Sequence, residues 1–260
     1  SINLLYCSSI WTRLSSILTI DFIYSKIKEN WDKTIISQRL VPLFEEVPER
    51  LDSCKEKLDW NVLSQNLSVD FIQGNFANYV DYWDWSVITQ RVDAVFLHLH
   101  FKEYISFWNQ GIAIEKITPL LSYDDIVDSE LERVWDWDLI SARVEDSVLI
   151  KILAEKMDFL DWDIVSSRIC NIADNDFATL IDNNPVVSEH LDWDYINENM
   201  ALSEILKYRD LHNASWDWSI ITRRFDTDFV IDNLSKYASY WDWNVILNEK
   251  IQQTYVKENL

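Results

Sequence analysis

Glycine is scarce in this sequence, with 2 among 260 residues, where an average chain would contain about 18. Glycine supplies the backbone conformations of tight turns, β-hairpins and phosphate-binding loops. Its scarcity therefore disfavours all-β folds, Rossmann folds and P-loop nucleotide sites. The three cysteines are far apart and form no CxxC pair, which argues against a disulfide framework or a zinc site.

Long apolar runs are also lacking. No stretch approaches the roughly 18 residues of a membrane-spanning helix. The sequence also lacks a basic segment followed by an apolar segment, which is the pattern of a signal peptide. We therefore expect no membrane segment, and the reduced cysteines predict a cytoplasmic protein.

Negative charge and tryptophan are abundant. The chain carries 44 acidic and 23 basic residues, a net charge of −21, which disfavours a nucleic-acid surface because phosphate contacts need a basic face. The 14 tryptophans suggest one structural role that is repeated many times.

The repeated element is the tripeptide Trp-Asp-Trp and its variants. Four copies are complete and three have Leu in the first place, and their central residues are Asp59, Asp84, Asp136, Asp161, Asp192, Asp217 and Asp242. Asp32 lies in a copy that lacks the second Trp, and two decayed copies place Asn109 and Tyr6 at the same point of the frame. Of the nine steps between these ten positions, eight are 25 to 27 residues and one is 31, so the pattern predicts ten tandem repeats.

Each Asp is interpreted as the N-cap of a short helix, which we call the cap helix. Its carboxylate can accept a hydrogen bond from a free amide of the first turn at the positive end of the helix dipole. The residue before the cap, such as Trp83, then forms a hydrophobic staple with the fourth helical residue, Ile88. Trp85, Ile88 and Val92 share one apolar stripe, so both tryptophans of the motif are expected in the core, and Trp137→Ala is expected to cost about 3–5 kcal/mol.

A second apolar segment follows in each repeat and predicts a second helix of about ten residues, capped by Ser68, Ser147 or Thr227. One such hairpin cannot bury its stripe alone, so neighbouring hairpins must stack. The sequence thus predicts an all-α protein that is more than about 60% helical, built as a right-handed α-solenoid of ten repeats. The 31-residue step predicts an insertion near Phe177 and Asn184.

A column of basic residues follows the caps at position +7, counted from the cap. Two interpretations are open: each cation pairs with an Asp or a helix-end carbonyl of the adjoining repeat, or the column lines a groove for an acidic peptide, a nucleic-acid strand or a nucleotide. We expect Arg91, Arg143 and Arg168 to be partly buried near carboxylates. The column comprises Arg13, Arg39, Arg91, Lys116, Arg143, Arg168 and Arg224, and the remaining positions hold Asn66, Asn199 and Glu249.

Catalytic and metal-binding patterns are missing. The sequence has no Walker A, nucleophile-elbow or HExxH motif. His98 and His100 are two residues apart and would point to different sides of a helix. The Asp-Trp-Asp pairs, such as Asp136 and Asp138, are interpreted as a cap with a second acidic residue in the first turn. We therefore expect no catalytic residue, no metal site and no cofactor.

The hairpin pattern resembles the tetratricopeptide and HEAT-type repeat arrays, and the phrase Trp-Asp-Trp-x-x-Ile-Ser-x-Arg is similar to tandem repeats of large multidomain bacterial proteins. This resemblance implies scaffolding or recognition. We expect residues 1–260 to form a single array that is a piece of a longer chain, with no enzymatic activity, binding a protein partner or a ligand. The alternative is a nucleic-acid or nucleotide sensor, within a multidomain, defence-like protein, that uses the basic column.

Overall fold

The structure is a computed structural model that describes residues 2–171, 185–210 and 215–251, with side chains from residue 10 onwards. It is all-helical, with 65% helix and no strand among the described residues. This confirms that the protein is all-α, as the sequence predicts. None of the described helices combines the length and apolar character that a membrane crossing requires.

Two compact units divide the chain, residues 1–120 and residues 121–260. The first unit also contains 3-10 helices at Lys55–Lys57, Phe76–Tyr79 and Thr118–Leu120. Its α-helices are α1 (Ile2–Ile17), α2 (Ile20–Ser25), α3 (Lys33–Glu46), α4 (Glu49–Asp52), α5 (Trp60–Asn66), α6 (Val69–Asn75), α7 (Trp85–Arg91), α8 (Ala94–His100) and α9 (Gln110–Ile117).

In the second unit the last described α-helix is short and continues into a π-helix at Ile246–Lys250. The described α-helices of this unit are α10 (Tyr123–Val127), α11 (Trp137–Arg143), α12 (Asp146–Ile152), α13 (Trp162–Ile169), α14 (Pro185–His190), α15 (Trp193–Asn199), α16 (Leu202–Tyr208), α17 (Trp218–Arg224), α18 (Thr227–Asp232) and α19 (Trp243–Val245). The insertion expected around Phe177 and Asn184 lies outside the described residues.

The cap helices pack against one another in chain order inside each unit. In the first unit α3 contacts α5, α5 contacts α7 and α7 contacts α9, and in the second unit α11, α13, α15, α17 and α19 follow in the same way. Their inward residues, such as Ile88, Ile140 and Ile221, are fully buried. A single seven-residue helix has too little stabilising energy of its own, so this packing holds each helix in place.

The tryptophans fall into two classes. Those at the staple position are at most 8% exposed, whereas those after the cap are only half-buried, and Trp243 is 45% exposed. Trp137 is half-buried and stacks on the exposed ring of Phe159 at 4.9 Å between ring centres. The prediction that Trp137 is a core residue was therefore wrong, and the large energetic cost is expected instead for the staple tryptophans.

Some local boundaries differ from the prediction. Helix α1 runs through Tyr6 without starting there, since tyrosine has no short acceptor that could cap a helix. The second helices have only five to seven residues. Asp226, one residue before Thr227, caps α18 with its carboxylate, and α12 starts after Glu145, which makes no side-chain cap bond.

Candidate functional site

The cap carboxylates hold the starts of the cap helices. In each, one carboxylate oxygen accepts from the backbone amide three residues later, as Asp84 does from Val87 at 3.2 Å. The carboxylates of Asp32, Asp59, Asp136, Asp161, Asp192, Asp217 and Asp242 accept the same bond, and in α9 the side-chain amide oxygen of Asn109 accepts it. Each of these bonds satisfies one of the backbone amides that lack an intrahelical partner at the start of a helix.

A buried polar residue lies at position +5 of most cap helices and links each repeat to the next. The Ser64 hydroxyl is fully buried and accepts from the backbone amide of Asp84, the following cap, at 3.0 Å. Equivalent bonds of 2.7–3.2 Å reach the next cap from Ser37, Thr89, Ser141, Ser166, Asn197 and Thr222. We call this set the +5 series.

The basic column bonds to the ends of the preceding cap helices. Arg91 donates to the carbonyl oxygens of Ser64 and, at 2.6 Å, Leu67, while Lys116 donates to those of Thr89, Gln90 and Val92 at 2.6–3.0 Å. Carbonyls at a helix C-terminus lack intrahelical partners and lie at the negative end of the dipole. The cations therefore neutralise helix ends between repeats.

The same arrangement recurs for the other half-buried members of the column. Arg39 donates to the Ser15 carbonyl at 2.6 Å, Arg168 donates to Ser141 and Val144 as well as to the Asp146 carboxylate, and Arg224 donates to Asn197 at 2.5 Å. Burial lowers the pKa of the Lys116 ammonium and of the Arg224 guanidinium. These cations have exchanged water for main-chain oxygens.

The column extends to a residue that the sequence pattern missed. Glu249 occupies position +7 after Asp242, but the π-helix at Ile246–Lys250 adds a residue to the turn. Lys250 therefore takes the place of the column and donates to the carbonyls of Arg223 at 2.9 Å and Phe225 at 2.6 Å. Glu249 instead accepts from the Arg223 side chain at 3.0 Å.

Four column positions behave differently. Arg13 and Arg143 are exposed, and for Arg143 this differs from the partial burial expected. Arg143 lies in α11, the first cap helix of the second unit. Asn66 and Asn199 bond to carbonyls of their own helices, at 2.7 Å and 2.9 Å.

Burial keeps the thiols of Cys54 and Cys170 protonated. Burial raises the pKa of the Cys54 thiol and of the Cys170 thiol to about 11. A thiol with so high a pKa holds very little of the nucleophilic thiolate near neutral pH. Among the described residues, no group of three His, Cys, Asp or Glu side chains is arranged to hold a metal ion.

The two units differ strongly in charge. Residues 1–120 carry 15 acidic and 11 basic residues, a net charge of −4, whereas residues 121–260 carry 29 and 12, a net charge of −17. In the second unit the half-buried Arg168 and Arg224 and the buried Lys250 are directed to main-chain carbonyls. The second unit therefore has a large excess of acidic over basic side chains.

Position +2 of the cap helices shows where this charge lies. In the first unit none of its residues is charged: Thr34 donates to the Asp59 carboxylate at 2.8 Å, and Asn61 donates to that of Asp84. In the second unit three of the five cap helices hold at this position an acidic side chain that cannot make this bond. All three are exposed: Asp138, Asp163 and Asp194. The other two helices hold Ser219 and Asn244. We call the three aspartates the acidic edge.

An open groove of about 550 Å³ adjoins the acidic edge. Its lining includes the carboxylates of Asp194, Asp217 and Asp242 together with the indole rings of Trp193 and Trp218. Carboxylates beside indole faces suit a guanidinium or an ammonium group, which can pair with the former and stack on the latter.

Comparisons of the chain with protein-family models, with curated proteins and with solved structures found no match.

The +5 series gives a direct prediction. Ser64→Ala is expected to lower the free energy of unfolding by about 1–3 kcal/mol, because the half-buried backbone amide of Asp84 loses its acceptor. Ser64→Thr is expected to retain most of the stability, since Thr89 and Thr222 fill the same position. Urea unfolding followed by circular dichroism measures both changes. Ser86→Ala, at an exposed site of α7, is the matched control, and equal stabilities of the two alanine variants would contradict the role given to Ser64.

Proposed function

We propose that this protein is a non-enzymatic repeat scaffold that binds a protein partner. Its arrangement in this proposal is a right-handed α-solenoid of about ten 25-residue hairpins. The succession of cap helices within each unit supports it, as do the bonds that the +5 series and the basic column make from one repeat to the next. Helical arrays of this kind present long surfaces for recognition.

The choice of partner rests on one observation, which is that the cations of the basic column bind main-chain carbonyls. The half-buried column residues point to main-chain carbonyls, while 29 acidic residues give the second unit its net charge of −17. Complementary potentials steer association and select partners. The expected partner is therefore a protein that presents a basic surface or a Lys- and Arg-rich segment to the acidic edge.

The sensor hypothesis has less support. Binding of phosphates by the column would require Arg91, Lys116, Arg168 and Arg224 to give up carbonyl bonds of 2.5–2.8 Å. Those carbonyls would then be left without donors, which is costly for buried groups.

The test compares two sets of neutralised variants against a purified partner identified by cross-linking. The acidic-edge variant D138N/D163N/D194N is expected to weaken binding by at least about tenfold, or 1.4 kcal/mol. The control E29Q/E46Q/D81N removes the same charge from exposed sites of the first unit and should change binding little.

Two results would contradict this function. One is equal weakening by both sets of variants, which would indicate only a general effect of net charge. The other is binding of single-stranded DNA or ATP by the unmodified protein that is lost in Arg91→Met, which would favour the sensor hypothesis.

A further inference from the structure

The open groove of the second unit lies between three successive cap helices, α15, α17 and α19. Asn197 lines it and is 1% exposed. Its side-chain amide bonds to two main-chain groups of the next repeat: Nδ2 donates to the Ser215 carbonyl at 3.1 Å, and Oδ1 accepts from the Asp217 amide at 3.0 Å. These bonds fix the backbone on both sides of Trp216 and hold the cap of α17 beside the groove.

The carboxylates of this groove keep oxygens that are not hydrogen-bonded. In Asp217 and in Asp242 a single oxygen, Oδ1, accepts both amides of the first helical turn, at 2.8–3.2 Å. Among the described residues no donor bonds to Oδ2 of either residue, and none bonds to the exposed carboxylate of Asp194. These oxygens are therefore available to a ligand.

The equivalent oxygen of the first unit is used within the chain. Oδ2 of Asp84 accepts from Asn61, which lies at position +2 of the preceding cap helix. Asp194 occupies the same position ahead of Asp217, and an ionised carboxylate has no proton to donate. The junction between α15 and α17 therefore brings two acceptors to a place where the first unit pairs a donor with an acceptor.

We propose that the groove binds one arginine side chain of the partner, with its guanidinium group donating to the carboxylates of Asp194 and Asp217. This inference rests on the proposed function, because it names the side chain that the basic partner presents to the second unit. A guanidinium group has five N–H donors in a planar fork. Its plane can also stack on the half-buried indole rings of Trp193 and Trp218, which line the same groove.

The separation of the carboxylates selects a guanidinium group over a smaller cation. Asp194, Asp217 and Asp242 line one groove, yet no three acidic, histidine or cysteine side chains of the described residues are arranged to hold a metal ion. The ammonium group of lysine is a compact point charge with three donors. A planar group with donors on several sides suits acceptors that stand apart.

Peptide binding tests the groove directly. The probes are two pentapeptides with blocked ends, Gly-Gly-Arg-Gly-Gly and Gly-Gly-Lys-Gly-Gly, each titrated into the full chain at about 0.15 M NaCl so that long-range attraction is screened. Tryptophan indole N–H signals in NMR spectra report the binding. The arginine peptide is expected to bind saturably and at least about fivefold more tightly than the lysine peptide.

Two matched double variants locate the site. D194N/D217N neutralises the groove and keeps the helix cap, since Asn109 shows that an asparagine can cap a helix of this chain. It is expected to weaken binding of the arginine peptide at least about tenfold. The control D138N/D161N removes the same charge from the junction between α11 and α13, outside the groove, and should change binding less than about twofold. Circular dichroism reports whether the variants fold, and Asp194→Asn alone replaces D194N/D217N if the latter does not.

Three results would overturn the groove proposal: no saturable binding of the arginine peptide, equal affinity for the two peptides, or equal weakening by both double variants. The proposed function is tested separately, with the whole partner and D138N/D163N/D194N. If that variant leaves partner binding unchanged while the arginine peptide still binds, the proposed function fails and the groove remains a guanidinium site. If the peptide fails to bind while partner binding depends on the acidic edge, only the groove proposal fails.

Discussion

Trp83→Ala is expected to lower the free energy of unfolding by about 3–5 kcal/mol. The side chain is 4% exposed and packs edge-on against Trp60 at 5.1 Å and Tyr79 at 5.7 Å between ring centres. Its indole nitrogen also donates to the Phe76 carbonyl at 3.0 Å. The alanine variant would leave a cavity between two repeats and an unpaired carbonyl.

Comparison with Trp137→Ala separates the two classes of tryptophan. Trp137 is half-buried against the exposed ring of Phe159, so less area returns to water and the expected loss is about 1–2 kcal/mol. Trp83→Phe keeps an aromatic ring but loses the indole N–H donor. Its free energy of unfolding should therefore lie between those of the wild type and of Trp83→Ala. Urea unfolding is followed by circular dichroism, because removal of a tryptophan also lowers the intrinsic fluorescence. Equal losses in Trp83→Ala and Trp137→Ala would mean that the staple position is not the core position.

The location of the helices that are destabilised in Trp83→Ala is a further check on the role of Trp83. In a repeat protein each unit contacts mainly its neighbours, so stability is lost close to the substitution first. Hydrogen exchange is therefore expected to speed up in α5 and α7, which flank Trp83, before it does so in α13 and α15 of the second unit.

The sequence was sufficient to predict the parts of this fold that depend on one residue and its immediate neighbours. A cap carboxylate and the amide three residues later lie in the same turn, so the spacing alone places Asp84 and its counterparts. The +5 series could also have been found, because Ser64, Thr89 and Ser141 interrupt an apolar stripe at a constant offset.

Contacts between repeats were harder to derive. Whether Arg91 meets a carboxylate or a carbonyl depends on how closely one helix end approaches the next, and that distance is set by packing. Lys250 was missed because a π-turn shifts the register by one residue, and nothing in the periodic pattern marks that turn. The half-exposure of Trp137 likewise depends on which side chains of the next repeat lie against its ring.

Arg91→Met is expected to cost about 2–3 kcal/mol, because it removes a charged donor from two carbonyls at the C-terminal end of α5. Methionine keeps much of the apolar stem that packs between the helices, so the change isolates the guanidinium. Arg91→Lys should lose less, since Lys116 shows that an ammonium group can reach three carbonyls from the equivalent place. Arg133→Met, at an exposed site, is the control for the loss of one positive charge.

The salt dependence of stability distinguishes bonds from Arg91 to carbonyls from ion pairs with carboxylates. Bonds from Arg91 to the carbonyls of Ser64 and Leu67 are short and half-buried, and screening acts weakly at such distances. The destabilisation in Arg91→Met should therefore persist when NaCl is raised to about 1 M, where the Debye length is near 3 Å. A cost that disappears at high salt would indicate instead that Arg91 acts through the surrounding carboxylates, because exposed ion pairs contribute about 0–1 kcal/mol and are screened.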